Sequence, residues 1–114
     1  MGFPRSARLT AASDYQYVFA DPRKAVDRNF VVLYRPGRES AARLGLAVTK
    51  KRLRRAVDRN RIKRLTRESF RHAREHLGSV DAVVLVRDGC ASRGNAELRA
   101  SLDRLWQKVA SRHS

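Results

Sequence analysis

Hydrophobic and polar positions divide the 114-residue chain into six elements. "TAASDYQYVFADP" (10–22) reads as a short helix. Ser13 stands as its N-cap with Gln16 three residues on, as in a capping box, and Pro22 follows its end. "NFVVLY" (29–34) is rich in β-branched and aromatic residues and runs into the turn residues Pro36 and Gly37. "RLGLAVT" (43–49) alternates Leu44, Leu46 and Val48 with smaller or polar residues, the pattern of a strand with one buried face. These two strands are expected to form a hairpin. "KKRLRRAVD" is a basic connector, and a long helix follows from about Ala56 or Asp58 to Leu77, with Gly78 as its stop. "DAVVLVR" (81–87) is a continuous apolar run, as expected of a strand covered on both faces. After the loop "DGCASRGN", a closing helix begins with Asn95 as N-cap and places Leu98, Leu102, Leu105 and Val109 on one stripe. The strand–helix–strand order across 43–87 predicts an α/β sandwich with helices packed on one small sheet.

The long helix carries two opposed stripes. At 100° per residue, Ile62, Leu65, Thr66, Ser69, Phe70, Ala73 and Leu77 share one face, and Asn60, Arg64, Arg67, Arg71 and Arg74 share the other, flanked by Arg61 and Lys63. A solvated face usually mixes signs, because opposite charges one turn apart stabilise a helix and like charges cost as much. Here Glu68 is the sole acid between Arg59 and Arg74. Several like pairs cost on the order of 1–2 kcal/mol. Burial of Leu65 and Phe70, at roughly 1.5–3 kcal/mol each, offsets that. The charge is therefore not there for the fold. Arginine predominates, and its planar fork suits phosphate oxygens and base faces. The free N–H groups at the helix start, beside the basic connector, suit phosphate as well.

Composition points the same way. The chain has 26 basic and 11 acidic residues, a formal charge of +15, and twelve of the basic residues fall within 50–74. Such a domain repels itself unless a polyanion neutralises it. Nucleic acid is the first candidate and an anionic membrane surface the second, but the apolar face of the long helix is needed to cover the sheet. A hydrophobic fraction of 42% supports one modest core, so residues 1–114 are expected to form a single domain with an ordered core over about 8–110. No apolar run approaches the roughly 20 residues needed to span a bilayer. "MGFPRSARLT" lacks a signal-peptide stretch, and Met-Gly followed by Ser6 alone makes a poor myristoylation motif. Cys90 is the only cysteine, which excludes an intrachain disulfide or a Cys-based zinc site. A soluble cytoplasmic protein is expected.

Tyr15, Val18 and Phe19 share one face of the first helix, either as core or as a stacking platform for single-stranded bases. His72 and His76 are four apart in "HAREH", without the HExxH pattern or an evident third ligand, and read as structural or solvent-facing. Cys90 has no neighbouring histidine, the acids are scattered singly, and no Gly-rich phosphate loop or carboxylate cluster for catalytic Mg²⁺ is evident. The residues point to an RNA or DNA binder without catalytic side chains or a metal site of its own.

"RNRIKRLTRESFR" (59–71) closely resembles the signature of the bacterial ribonuclease P protein component, the small basic subunit that joins a catalytic RNA to remove the 5′ leader from precursor tRNA. "SDYQYVF", "RLGLAVTKK", "DAVVLVR" and "LDRLWQK" resemble the family's first helix, strand before the connector, buried strand and final helix, so the resemblance covers residues 8–110. It implies a two-layer α/β (α+β) sandwich like domain 2 of ribosomal protein S5, with a small mixed sheet and a left-handed βαβ crossover. It implies that Arg59, Asn60, Arg61, Lys63, Arg64, Arg67 and Arg71 meet the catalytic RNA. Tyr15, Phe19, Lys50 and Lys51 would belong to a cleft for the single-stranded leader. Tyr15 stands where the family commonly has Phe, and a one-residue register ambiguity leaves Tyr34 unassigned to the cleft. The implied function is a ribonuclease P subunit whose Mg²⁺ ions are held mainly by the RNA. Its partners would be that RNA and precursor tRNA, with no membrane and no obligate protein partner. A ribosomal-type structural RNA-binding protein is the alternative, and a basic DNA-binding protein a more distant one.

Overall fold

The apolar run Val80–Val86 forms β4, the strand around which the rest is arranged. In the computed structural model, which describes residues 7–113, β1 (Arg23–Val26), β2 (Phe30–Pro36), β3 (Arg43–Ala47) and β4 form one sheet in the order β1-β2-β4-β3. The reading of the N-terminal MGFPRS lies outside the described residues. β2 pairs antiparallel with β1 and β4, and β3 pairs parallel with β4. The expected hairpin between β2 and β3 is not formed, because β4 lies between them. The physical reason is the composition of β4: six of its seven residues are buried, so it needs a strand on each side and cover on both faces. β1 was not expected; in "RKAV" only Ala25 is buried.

The helices divide unequally over the sheet. α2 (Ala56–Leu77) and α3 (Asn95–His113) pack on one face, where Phe30, Val32, Tyr34, Leu44, Ala82, Val84 and Val86 meet Ile62, Phe70, Leu98, Leu102, Leu105 and Trp106. Phe70 and Trp106 meet edge to face at 5.2 Å. α1 (Ala12–Ala20) lies on the other face, with Val18 on Leu33, Val83 and Leu9, and covers only part of it. The layered α/β arrangement is the expected one. α2 has the expected bounds, and Gly78 ends it at φ 68°, a backbone conformation that favours glycine.

Two expected helix caps differ. α1 starts earlier than a Ser13 cap would place it: Ala11 is the N-cap, and its N–H donates to Asp14 Oδ2 at 3.2 Å. Asn95 lies within α3, whose first turn is closed by the Leu98 N–H donating to the Gly94 carbonyl at 3.1 Å. The Asn95 side-chain oxygen is occupied elsewhere, accepting from Arg61 at 2.7 Å. Among the described residues no helix is long and apolar enough to cross a membrane.

Candidate nucleic-acid interface

The basic stripe of α2 is not uniform. Arg61 is committed to the fold, since its guanidinium donates to the carbonyls of Ala91 (2.9 Å) and Arg93 (3.1 Å) as well as to Asn95, and so holds the loop before α3. Arg59 donates to the carbonyls of Leu53 and Arg54, each at 2.8 Å, and so closes the basic connector over the helix start. Arg74 donates to the Ala42 carbonyl at 2.9 Å, and Arg71 faces Glu68 at 3.8 Å. Asn60, Lys63, Arg64 and Arg67 have no hydrogen bond or ion pair among the described residues. Their donors remain available to a partner, and Asn60 and Arg64 are exposed. Of the seven residues that the resemblance assigns to RNA, four are thus uncommitted and three carry internal contacts.

On the sheet face that α1 leaves open lies a groove of about 1020 Å³. It crosses all four strands: Lys24 lines it on β1, Val31 and Leu33 on β2, Leu85 on β4 and Ala47 on β3. Phe19 of α1 forms a wall and is 45% exposed, unusual for an aromatic that helps form no core. The rim is basic. Arg52 pairs with Asp88 at 2.6 Å, Arg28 with Glu97, and Arg87 donates to the Asp27 carbonyl at 2.9 Å. Lys50 and Lys51 are exposed between Thr49 and Arg52, both of which line the groove.

Tyr15 is parted from Phe19. It packs over Gly45 and, with Lys63 and Arg67 of α2, lines a smaller pocket of about 160 Å³ at the β3 edge. One expected leader-cleft residue and two expected RNA-docking residues therefore share one pocket. Tyr34 points to the α2/α3 side and is 1% exposed, because Tyr34 pairs with Ala82 and belongs to the same face. Its neighbour Leu33 is the β2 residue that reaches the groove.

The apolar floor of Val31, Leu33, Ala47 and Leu85 and the cations Lys24, Arg28 and Arg87 were missed from sequence. The period-two alternation of β2 held the signal for the floor, since Val31 and Leu33 share the face opposite Phe30, Val32 and Tyr34. A second missed feature is ionic. Asp81 of β4, fully buried, takes two hydrogen bonds from Arg43 at 2.9 and 3.1 Å. Arg38 reaches Asp14 at 2.5 Å and Asp81 at 3.8 Å, so the cluster ties α1 to the sheet. The Asp81 hydrogen bonds raise the Arg43 pKa above its ordinary value despite burial.

Cys90 is buried, and burial pushes its thiol up to about 11. His72 and His76 line a cleft of about 530 Å³ between α2 and α3 with Asp103 and Trp106. Among the described residues no three His, Cys, Asp or Glu side chains are grouped so as to hold a metal ion.

The chain matches the family model described as Ribonuclease P over residues 3–110. It is 52% identical over 110 residues to the ribonuclease P protein component of Thioalkalivibrio sulfidiphilus, spanning 96% of this chain and 92% of the relative. To that of Methylococcus capsulatus it is 44% identical over 113 residues, spanning 99% and 88%. The solved RNase P protein of Staphylococcus aureus superposes with a TM-score of 0.82 at 28% identity, over 90% of this chain and 94% of that one. The Thermotoga maritima RNase P protein gives 0.76 at 28% identity, over 89% and 96%. The chain belongs to the ribonuclease P protein family.

Proposed function

We propose that this chain is the protein subunit of a ribonuclease P ribonucleoprotein in the cytoplasm, binding a catalytic RNA through α2 and the 5′ leader of precursor tRNA in the sheet groove. The observation that carries the reading is the groove itself: an apolar floor, an exposed Phe19 and a basic rim, adjoining a helix with four uncommitted polar side chains. A single strand needs stacking surface and a cationic border, and the groove offers both. Asn60, Lys63, Arg64 and Arg67 suit an RNA backbone, because each phosphate neutralised releases counterions.

The reaction is hydrolysis of the phosphodiester between leader and mature tRNA. Mg²⁺ held by the RNA subunit would supply the metal chemistry of that hydrolysis. Among the described residues no three His, Cys, Asp or Glu side chains are grouped to hold that ion, and the part we assign to the protein's side chains is to bind and orient. Phe19 and the floor hold the leader, and the α2 cations hold the RNA; neither transfers a proton.

Reconstitution with the RNA subunit tests this reading. The protein should lower the Mg²⁺ concentration needed to cleave precursor tRNA and leave the precursor uncut when RNA is omitted. Phe19→Ala should weaken leader-bearing precursor by about 1–3 kcal/mol, one base stack, and leave mature tRNA and RNA assembly unchanged. Equal losses with mature and precursor tRNA would refute the groove assignment.

A further inference from the structure

A second basic surface lies on α3, away from the α2 stripe. Arg104, Lys108 and Arg112 recur every fourth residue, all exposed, along the flank of the buried stripe Leu98, Leu102, Leu105 and Val109. The C-terminal end of a helix favours cations, but only within its last turn, and Arg104 lies well before it. Like charges at that spacing cost helix stability. No hydrogen bond or ion pair engages the side chain of Arg104 or Lys108 among the described residues. Arg104 acts on Asp27 only as a nearby charge.

Three contacts fix where this surface sits. Arg28, in the turn after β1, pairs with Glu97; Ser101 donates to Asp27 in the same turn; and Arg112 donates to the Lys24 carbonyl at 2.8 Å. α3 therefore runs antiparallel beneath β1, the strand at the sheet edge. Lys24 and Arg28 line the β1 end of the groove on one face, and Arg104, Lys108 and Arg112 follow the same edge on the other. The groove opens at β1 onto a cationic path that turns under the edge. At its other end, the groove-lining residues Thr49 and Arg52 belong to the connector that leads into α2, where the RNA subunit docks in the reading above.

We propose that the distal part of the 5′ leader leaves the groove over Lys24 and continues around the β1 edge onto Arg104 and Lys108 of α3, so that the protein measures leader length as well as leader presence. The inference rests on the assignment of the groove to the leader. Charge complementarity commits the path to the leader, because a strand entering beside α2 and crossing the sheet emerges at β1. The contacts are to phosphates and carry no base preference.

The test uses holoenzyme reconstituted with the RNA subunit and precursor tRNAs whose leaders grow one nucleotide at a time. With the unaltered protein, affinity should rise in two stages, as the leader fills the groove and again as it passes the β1 edge. The double variant R104Q/K108Q should lose the second stage alone, about five- to tenfold in affinity, the size expected of two exposed phosphate contacts. Its salt dependence with long leaders should fall by roughly 0.7 per lost contact. Affinity for the RNA subunit and for short leaders should not change, which also reports an intact fold. A single stage in the unaltered protein, an equal loss with short and long leaders, or weaker RNA-subunit binding would overturn the path. Failure of the groove assignment is separate: the first stage would then be absent and Phe19→Ala silent.

Discussion

Tyr15 lies directly over Gly45, so closely that a methyl group on Gly45 would stand 2.7 Å from the Tyr15 ring. The contact joins α1 to β3 and sets the side of the pocket that also holds Lys63 and Arg67. Gly45→Ala should displace the ring at about 1–3 kcal/mol of stability, the usual cost of forcing bulk into a packed site. Tyr15→Phe should be nearly neutral, because the hydroxyl receives only a long 3.4 Å contact from the Leu46 N–H. Thermal unfolding of both variants checks the contrast, and equal losses would refute it.

Arg61 and Arg64 have the same charge and neighbour one another on α2, yet they should behave differently. Arg61→Ala removes three hydrogen bonds that hold residues 91–95, and should cost on the order of 2–3 kcal/mol of unfolding free energy. Arg64→Ala should leave stability unchanged and weaken binding of the RNA subunit, reducing the log–log salt slope by roughly 0.7–0.9. Denaturant melts beside RNA titrations separate the two, and a stability loss in both variants would contradict the division.

Asp27 makes folding pH-dependent. Burial opposes its charge, but the Ser101 hydroxyl and the N–H groups of Asn29 and Phe30 outweigh that opposition and hold the carboxyl below its ordinary value. A carboxylate lowered by folding contributes stability that is fully present above the ordinary aspartate range and is lost as pH falls through the folded value. Asp27→Asn should therefore lower the melting temperature at neutral pH, by a margin that closes as the solution is acidified. A gap that stayed constant down to acid pH would show that the charge is not what stabilises the turn.

Cys90 should be inert in the native protein. The thiolate is the reactive form, and the buried Cys90 thiol is pushed up to about 11. Thiol-disulfide reagents at neutral pH should label the chain fully in denaturant and negligibly in its absence. Rapid native labelling would mean that the loop around Cys90 opens readily.

Much of the helical layer could be read before the structure, because what makes α2 is local. Its two stripes follow from residue spacing, and Gly78 ends it on its own conformational grounds. Strand order could not be read in the same way. β2 and β3 are neighbours in sequence with turn residues between them, and only the demand of β4 for two partners separates them. β1 gave little signal, with two cations in four residues and one buried alanine. Of the interface, the basic helix was legible as a class of residue. Which arginines are free was not, because that depends on the loop at 91–95 and the connector at 53–54 reaching Arg61 and Arg59. The groove floor lay hidden in which of two faces each β2 residue takes. The cluster of Asp14, Arg38, Arg43 and Asp81 draws on distant segments that no local pattern connects.

The central place of β4 also bears on how the chain comes to be folded. Phe30 pairs with Val86 and Arg43 with Asp81, so neither β2 nor β3 can complete its hydrogen bonding until residues 80–86 have been synthesised. Sheets built from such distant pairings form slowly. Until then the nascent chain holds two open strand edges and a positively charged α2 whose apolar stripe lacks its sheet. A chain ending at Leu77 should show helical dichroism but no slow-exchanging amides, whereas one extended through β4 and α3 should protect both. For a protein with this much positive charge, the interval before β4 emerges is when it is most exposed to premature capture by whatever RNA lies nearby.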